Sequence, residues 1–249
     1  MKKALFIADV HYPLYDKKVF EIIKRILKDE KPDYLVFLGD CFNADGISKF
    51  SITDHEDGFF ETLREIEGFR QDYFLPLIKL VPKGNILWTL GNHDGRRVED
   101  FLYRIEKKCH PDKHKDYVEK INLKRLFPEA SFKRYNECHK IGKLYLTHGE
   151  FHGKNHAERH VREYGKSILY GHLHTYDVKT VNTKANNKVH SGYSMPCACQ
   201  LDQPYIENKS SSWVQGFSVG YFQDNGNFNL YITSIIDGVC IWNGKLYKG

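Results

Sequence analysis

No run in the 249 residues approaches the roughly 20 apolar positions that a membrane-spanning helix needs. The start, Met1-Lys2-Lys3, is basic, but the apolar run behind it stops at Asp9, too short for a secretory leader. Cysteine is sparse. Cys41, Cys109, Cys138, Cys197, Cys199 and Cys240 are irregularly spaced and give no disulfide framework. Cys197 and Cys199 stand closer together than the roughly two to four intervening residues usual in zinc sites. Reduced thiols and a cytoplasmic location are therefore expected, with no membrane partner. Nor is there a strong excess of one charge: 37 Lys and Arg against 32 Asp and Glu leave +5. The pI of about 8.7 is below the roughly pH 9 mark of a dedicated nucleic-acid binder, yet suits a phosphate-bearing substrate. There is no internal repeat, no low-complexity tail and no sign of a second core. One α/β domain over residues 1–249 is expected, with no indication of oligomeric state.

Five short apolar runs are present, and each stops at residues able to ligate metal. Leu5-Phe6-Ile7-Ala8 stops at Asp9, with His11 two residues on. Tyr34 to Leu38 stops at Gly39-Asp40, and Ile86 to Leu90 at Gly91-Asn92-His93-Asp94. Leu144-Tyr145-Leu146 stops at Thr147-His148, and Ile168-Leu169-Tyr170 at Gly171-His172-Leu173-His174. Such runs read as buried strands, and open α/β sheets place ligands at the carboxyl ends of their strands. A glycine before the polar residues lets the backbone turn sharply. Any one of these turns is ordinary, and core histidines are common. Five in order require five coincidences.

This ordered set resembles the calcineurin-like metallophosphoesterases, whose pattern is D-x-H, GD, GNH(D/E), H and G-H-x-H. The resemblance spans residues 9 to 174. It implies a four-layer α-β-β-α sandwich, two mixed β-sheets flanked by helices, with two divalent metal ions at the strand ends. Asp9, His11 and His174 would hold the first metal and Asn92, His148 and His172 the second, with Asp40 bridging both. Oxygen and nitrogen donors without thiolate suit manganese, placed first, or iron or zinc. His93 is implied to face the leaving-group oxygen as proton donor or electrostatic stabiliser, and Asp94 either to orient His93 or to cap the helix. The phosphoprotein phosphatases of the superfamily carry GDxxDRG. Here Asn43 replaces that aspartate and the arginine is missing, which argues against a protein phosphatase. The loop looks closer to the nuclease-like branch.

Lys17 to Lys31 has a helical apolar period, with Asp16 as N-cap. Phe59 to Leu80 reads as a long helix bent by Gly68 and Pro76, within a cap insertion over about 47–82. Gly95 to Cys109 reads as a helix with Val98, Phe101, Leu102 and Ile105 inward. Arg96 and Arg97 in its first turn oppose the helix dipole, so contact with substrate phosphate is weighed equally against two solvated arginines. Asn43 and His152 are further candidates for touching substrate. His156 and His160, four residues apart, are expected to be core histidines. Residues 110–140 should give a helix and then a hairpin. The part from about 175 to 249 reads as β-rich, with hairpin signals at Asp224-Asn225-Gly226-Asn227 and Asp237-Gly238. Between its strands Ser191 to Trp213, with Pro196, Pro204 and Ser210 to Ser212, reads as a long loop forming a substrate rim with Tyr193, Tyr205 and Trp213. The function expected is a metal-dependent phosphodiesterase or nuclease-like enzyme on nucleotide or nucleic acid. A phosphomonoesterase and a catalytically silent scaffold are the alternatives.

Overall fold

The computed structural model describes residues 1–82, 85–183, 188–203 and 211–249. Its strands are β1 (Lys2–Ile7), β2 (Tyr34–Phe37), β3 (Ile86–Thr89), β4 (Ala130–Lys133), β5 (His139–Ile141), β6 (Leu144–Thr147), β7 (Ser167–Tyr170), β8 (Asp177–Thr183), β9 (Lys188–Ser194), β10 (Gln215–Phe222), β11 (Phe228–Ile235), β12 (Val239–Trp242) and β13 (Lys245–Lys248). The α-helices are α1 (Lys17–Glu30), α2 (His55–Gly68), α3 (Leu75–Ile78), α4 (Arg97–Glu106), α5 (Pro111–Lys120), α6 (Leu123–Leu126) and α7 (His156–Tyr164). One sheet runs β11-β10-β1-β2-β3-β4 and the other β5-β6-β7-β9-β8, and both mix parallel with antiparallel pairs.

The alternation of strand side chains builds the layers. In β1, Leu5 and Ile7 pack outward against Ile22, Ile23 and Ile26 of α1 and the rest of the helical layer. Ala4 and Phe6 face the other way, with Val36 and Leu38, onto Leu144, Leu146 and Leu169 of the second sheet. Val161 of α7 packs with Ile168, Tyr170 and Val181 on that sheet's far face. The result is helices, sheet, sheet, helix. Strands buried on both faces carry unbroken apolar runs, which is why these stretches stand out in the sequence.

Asp16 caps α1 by accepting from the backbone N–H groups of Lys18 (2.8 Å) and Val19 (3.1 Å). Residues 55–78 form a continuous helical run, with a π segment at Phe69–Phe74 between Gly68 and Leu75. Phe59, Ile66, Phe69 and Phe74 bury into the outer core with Phe37 and Trp88, so this run covers the first sheet. It also reaches the loops past the strand ends, where Asp72 accepts from the Tyr12 hydroxyl at 2.8 Å and Glu65 from the Ala44 N–H at 2.7 Å.

The hairpin expected before residue 140 does not form. Β4 joins β3 in parallel in the first sheet, while β5 pairs with β6 in the second, so the chain crosses between layers. Residues 191–194 are not loop either. They complete β9, pairing with β7 and β8, because Gly192 lies against the Ala157 carbonyl of α7 and has no room for a side chain.

The C-terminal hairpin β12–β13 is tied to α1 by one buried carboxylate. Glu30 accepts from Lys3 Nζ, Trp242 Nε1 and Asn243 Nδ2, each at 2.6 Å, and from the Tyr221 hydroxyl at 3.3 Å. Burial alone raises its pKa, but Lys3 and Trp242 more than offset this, so it lies below the ordinary carboxylate value. A lowered folded pKa adds stability above the unfolded value and loses it as pH falls through the folded one. Glu30→Gln should therefore cost about 1.5–3 kcal/mol at neutral pH, the range for a charge-assisted hydrogen bond. The gap from wild type in urea unfolding should close at acid pH. A gap independent of pH would mean that packing, not charge, is what the substitution removes.

Candidate metal centre

The carboxyl ends of β1, β2, β3, β6 and β7 bring the candidate ligands together. Five of them, Asp9, His11, Asp40, His172 and His174, have φ between 49° and 73°. Left-handed backbone at a non-glycine residue costs of order 1–3 kcal/mol and persists where the surroundings impose it. Strand ends that kink this way turn side chains of neighbouring segments toward one point.

Three donor groups result: Asp9, His11 and His174; His11, Asp40 and His93; and Asp40, His148 and His172, with ligating atoms in each group within 4.8 Å of one another. Asp40 belongs to two of the groups. Its Oδ2 lies 3.2 Å from His148 Nε2 and 3.9 Å from both His11 Nε2 and His93 Nε2. Its Oδ1 accepts the His93 backbone N–H at 2.8 Å. Asn92 Oδ1 lies 2.9 Å from His148 Nε2. Asp9 accepts the His172 N–H on both oxygens, at 3.1 and 2.9 Å, and its Oδ1 lies 3.4 Å from His174 Nε2.

The hydrogen bonds on the far side of the His148 and His11 rings suit a cation here. His148 Nδ1 lies 2.8 Å from the Leu38 carbonyl, which only accepts, so Nδ1 carries the proton. Nε2 is left facing the Asp40 and Asn92 oxygens. Burial lowers the ring's pKa, but Asp40 and Asp9 more than offset this and raise it to about 9. A divalent ion would take the place of the Nε2 proton. His11 Nδ1 is likewise placed 2.7 Å from Asn43 Oδ1, which turns its Nε2 toward His174 Nε2 at 3.2 Å. Ligating atoms that converge in a buried space suit a divalent ion between them, and hydrogen bonds of this kind orient metal-binding histidines.

Glycine at two positions is dictated by close approach. Gly91 has φ of −95°, so it is not needed for a left-handed turn, contrary to the reading of a sharp glycine bend. A Cβ there would collide with the Asp40 carboxylate, and one at Gly171 with Asp9 Oδ2 at 2.6 Å.

Several expected roles change. Asp94 is fully buried and spends its carboxylate on the N–H groups of Gly91 (2.5 Å), Cys41 (2.9 Å) and Trp88 Nε1 (3.0 Å). It fastens the central turn from below, so of its two expected roles it takes the capping one. These bonds give it a positioning role at the turn that carries Asn92 and His93. Burial and then Asp40 push its pKa up to about 6. Asn43 is also engaged within the protein. Its side-chain oxygen holds His11 while its Nδ2 donates to Asp45 at 3.1 Å. Arg97 is turned inward, donating to the Asn43 carbonyl and Asp45 Oδ1, each at 2.6 Å, with Nη2 3.3 Å from His93 Nε2. It braces His93. Arg96 is exposed and only loosely paired, 3.8 Å from Asp100. His152 is exposed above His172, with their Nε2 atoms 3.4 Å apart. His156 and His160 are core histidines: His156 Nδ1 meets the Tyr170 hydroxyl at 2.7 Å, and His160 stacks on the Tyr170 ring at 3.8 Å.

The expected rim is rearranged. Tyr205 lies outside the described residues. Tyr193 sits in β9, paired with Leu169 of β7 and half-buried against the core between the sheets. Trp213 does reach the site, its ring 4.0 Å from that of His174. Met195, Cys197, Ala198 and Cys199 run buried beneath the site, with the Ala198 N–H bonded to the Ala8 and Asp9 carbonyls at 3.0 and 3.2 Å. All six cysteines are free, yet Cys197 and Cys199 form a further group with His174, Cys199 Sγ lying 4.0 Å from its Nδ1. Spacing within the Cys-x-Cys pair gave no sign of this, because the histidine is more than twenty residues earlier in the chain.

A family model described as calcineurin-like phosphoesterase matches residues 2–176, and the chain belongs to that family of metal-dependent phosphoesterases. Among its relatives is the Gene 54 protein of Mycobacterium phage L5, 23% identical over 262 residues that cover 99% of each chain. The Gene 54 protein of Mycobacterium phage D29 is 21% identical over 231 residues, 88% of each. Vacuolar protein sorting 29 from Cryptosporidium parvum shares the fold, with a TM-score of 0.50 and 16% identity, over 100% of this chain and 98% of that one. So does wild-type Vps29 complexed with zinc from Entamoeba histolytica, with a TM-score of 0.50 and 13% identity, over 98% of this chain and 96% of that one. Among the described residues, no helix is long and apolar enough to cross a membrane.

Proposed function

We propose that this protein is a phosphodiesterase using two divalent metal ions and acting on nucleotide or nucleic-acid substrates. The observation that carries the reading is the Asp40 carboxylate, shared between two histidine-bearing donor groups with Asp9, His11 and His174 beside it. Asp9, His11 and His174 would hold one ion, Asn92, His148 and His172 the other, and Asp40 both, with manganese placed first and iron or zinc as alternatives. Ions held by these residues would supply Lewis-acid chemistry, lowering the pKa of water toward neutrality and neutralising charge on phosphoryl oxygens.

The chain's own contribution begins with orientation. The Leu38 carbonyl and Asn43 fix the ring tautomers of His148 and His11. His93 stands at the edge of the donor set, its Nδ1 3.0 Å from the Asn43 carbonyl. Its Nε2 lies 3.3 Å from Arg97 Nη2 and 3.9 Å from Asp40 Oδ2, and would turn from these to the leaving-group oxygen, as proton donor when the ring is protonated or as electrostatic stabiliser. Its role needs no covalent bond to substrate.

Beside Asn92 opens a groove of about 370 Å3, lined by Lys49, Phe50, Arg96, Tyr103 and Arg104 among others. Phe50 is 81% exposed and Tyr103 61% exposed. Cations with exposed aromatic rings suit a phosphate backbone and its bases. The groove gives room to the second substituent that a diester has and a monoester lacks. Reduced thiols fit a cytoplasmic location.

With manganese supplied, bis-p-nitrophenyl phosphate should be hydrolysed faster than p-nitrophenyl phosphate. Preference for the monoester would move the reading to a phosphomonoesterase. No hydrolysis of either would move it to a silent scaffold.

A further inference from the structure

At the opposite end of the second sheet from the metal centre, Lys140, Lys143, Lys166 and Lys188 line a cavity of about 820 Å3. It sits where β6, β7 and β9 begin, whereas His148, His172 and His174 lie beyond the other ends of β6 and β7. Among the described residues, no aspartate or glutamate lines it. Lys143 donates to Asn227 Oδ1 at 2.7 Å, and Lys140 lies 5.5 Å over the Tyr145 ring. Neither these two nor Lys166 has a carboxylate partner among the described residues. The clustered charge is felt locally: burial first, then Lys166 and Lys188, lower the pKa of His190 in the same wall.

The rest of the lining is neither plain hydrocarbon nor plain surface. Tyr145, Tyr193 and Phe228 are half-buried, and the amides of Gln223, Asn227 and Asn229 surround them. Each amide offers both a donor and an acceptor. Lysines hold phosphate as compact point charges. The volume falls within the roughly 300–1,000 Å3 of small-molecule sites, so a closed-ended ligand fits better than a strand running through.

We propose that this cavity binds a nucleoside di- or triphosphate, with the lysines on the phosphate chain and the aromatic wall and amides on the base. The site is separate from the metal centre, and the proposal does not depend on the phosphodiesterase reading.

The test is calorimetric titration of the full chain with ATP and with tripolyphosphate, in EDTA so that metal-dependent binding at the catalytic end does not register. ATP should bind wild type and Asp40→Asn alike. Lys143→Ala combined with Lys166→Ala should weaken it at least about tenfold, as expected for loss of charged hydrogen bonds. The paired Lys→Arg variant should keep binding, and unchanged thermal midpoints should show that all the variants fold. Tripolyphosphate should bind more weakly than ATP. The proposal is overturned by absence of ATP binding, by indifference to the lysine substitutions, or by loss in Asp40→Asn. It is also overturned if tripolyphosphate matches ATP, or if a short oligothymidylate of equal charge binds tighter.

Discussion

Asp40→Asn should abolish most phosphodiester hydrolysis while leaving the protein folded. The loss should be at least about 10²–10³-fold, the scale seen when one group of a preorganised electrostatic site is removed. The substitution preserves shape. The amide oxygen can still accept the His93 backbone N–H that Asp40 Oδ1 accepts at 2.8 Å, so the central turn keeps its anchor. What disappears is the negative charge between His148, His11 and His93. Burial works against that charge, but His148 and His93 more than offset it and hold the carboxyl well below its usual range. An amide also turns an N–H toward the ring nitrogens, where a cation should sit. Circular dichroism and the urea midpoint should change little, and rates with excess manganese should stay low. Recovery of the wild-type rate at high manganese would mean that Asp40 merely raises affinity and does not join the two donor groups.

His93→Ala should have the complementary effect, with metal content kept and turnover lost by about 10²–10⁴-fold, the usual contribution of general acid catalysis. His93 is less enclosed than the ligands, with its side chain 18% exposed, and its Nδ1 is already committed to the Asn43 carbonyl. Arg97, whose Nη2 lies 3.3 Å from Nε2, holds the ring at that edge. Removing the ring leaves Asp9, His11, Asp40, Asn92, His148, His172 and His174 in place. The loss should appear in kcat, with little change in KM for the diester. Parallel loss of metal and activity would make His93 a ligand.

The candidate ligands were legible because sheet and sequence share one logic. Strands buried on both faces read as apolar runs, and each run stops at the residues it delivers. The Asp94 carboxylate illustrates what was not legible. Its partners are the N–H groups of Cys41, Trp88 and Gly91, and only the last two are near it in sequence. Asn43 and Arg97 look like substrate contacts in the sequence, being polar and beside a ligand turn. The fold spends both on bracing His11 and His93. Β9 escaped notice because Ser191, Gly192 and Ser194 resemble loop chemistry. Packing against α7, a contact from another part of the chain, makes that stretch a strand. The thiols under His174 were hidden for the same reason: sequence spacing describes ligands on one turn, and these come from separate segments.

On the proposed reading, Asp40 joins two metal sites in one centre. Elemental analysis of the full chain after loading with manganese and removal of excess tests it most directly. About two ions per chain are expected, falling in Asp40→Asn and unchanged in His93→Ala. A single ion, or two ions indifferent to Asp40→Asn, would contradict it.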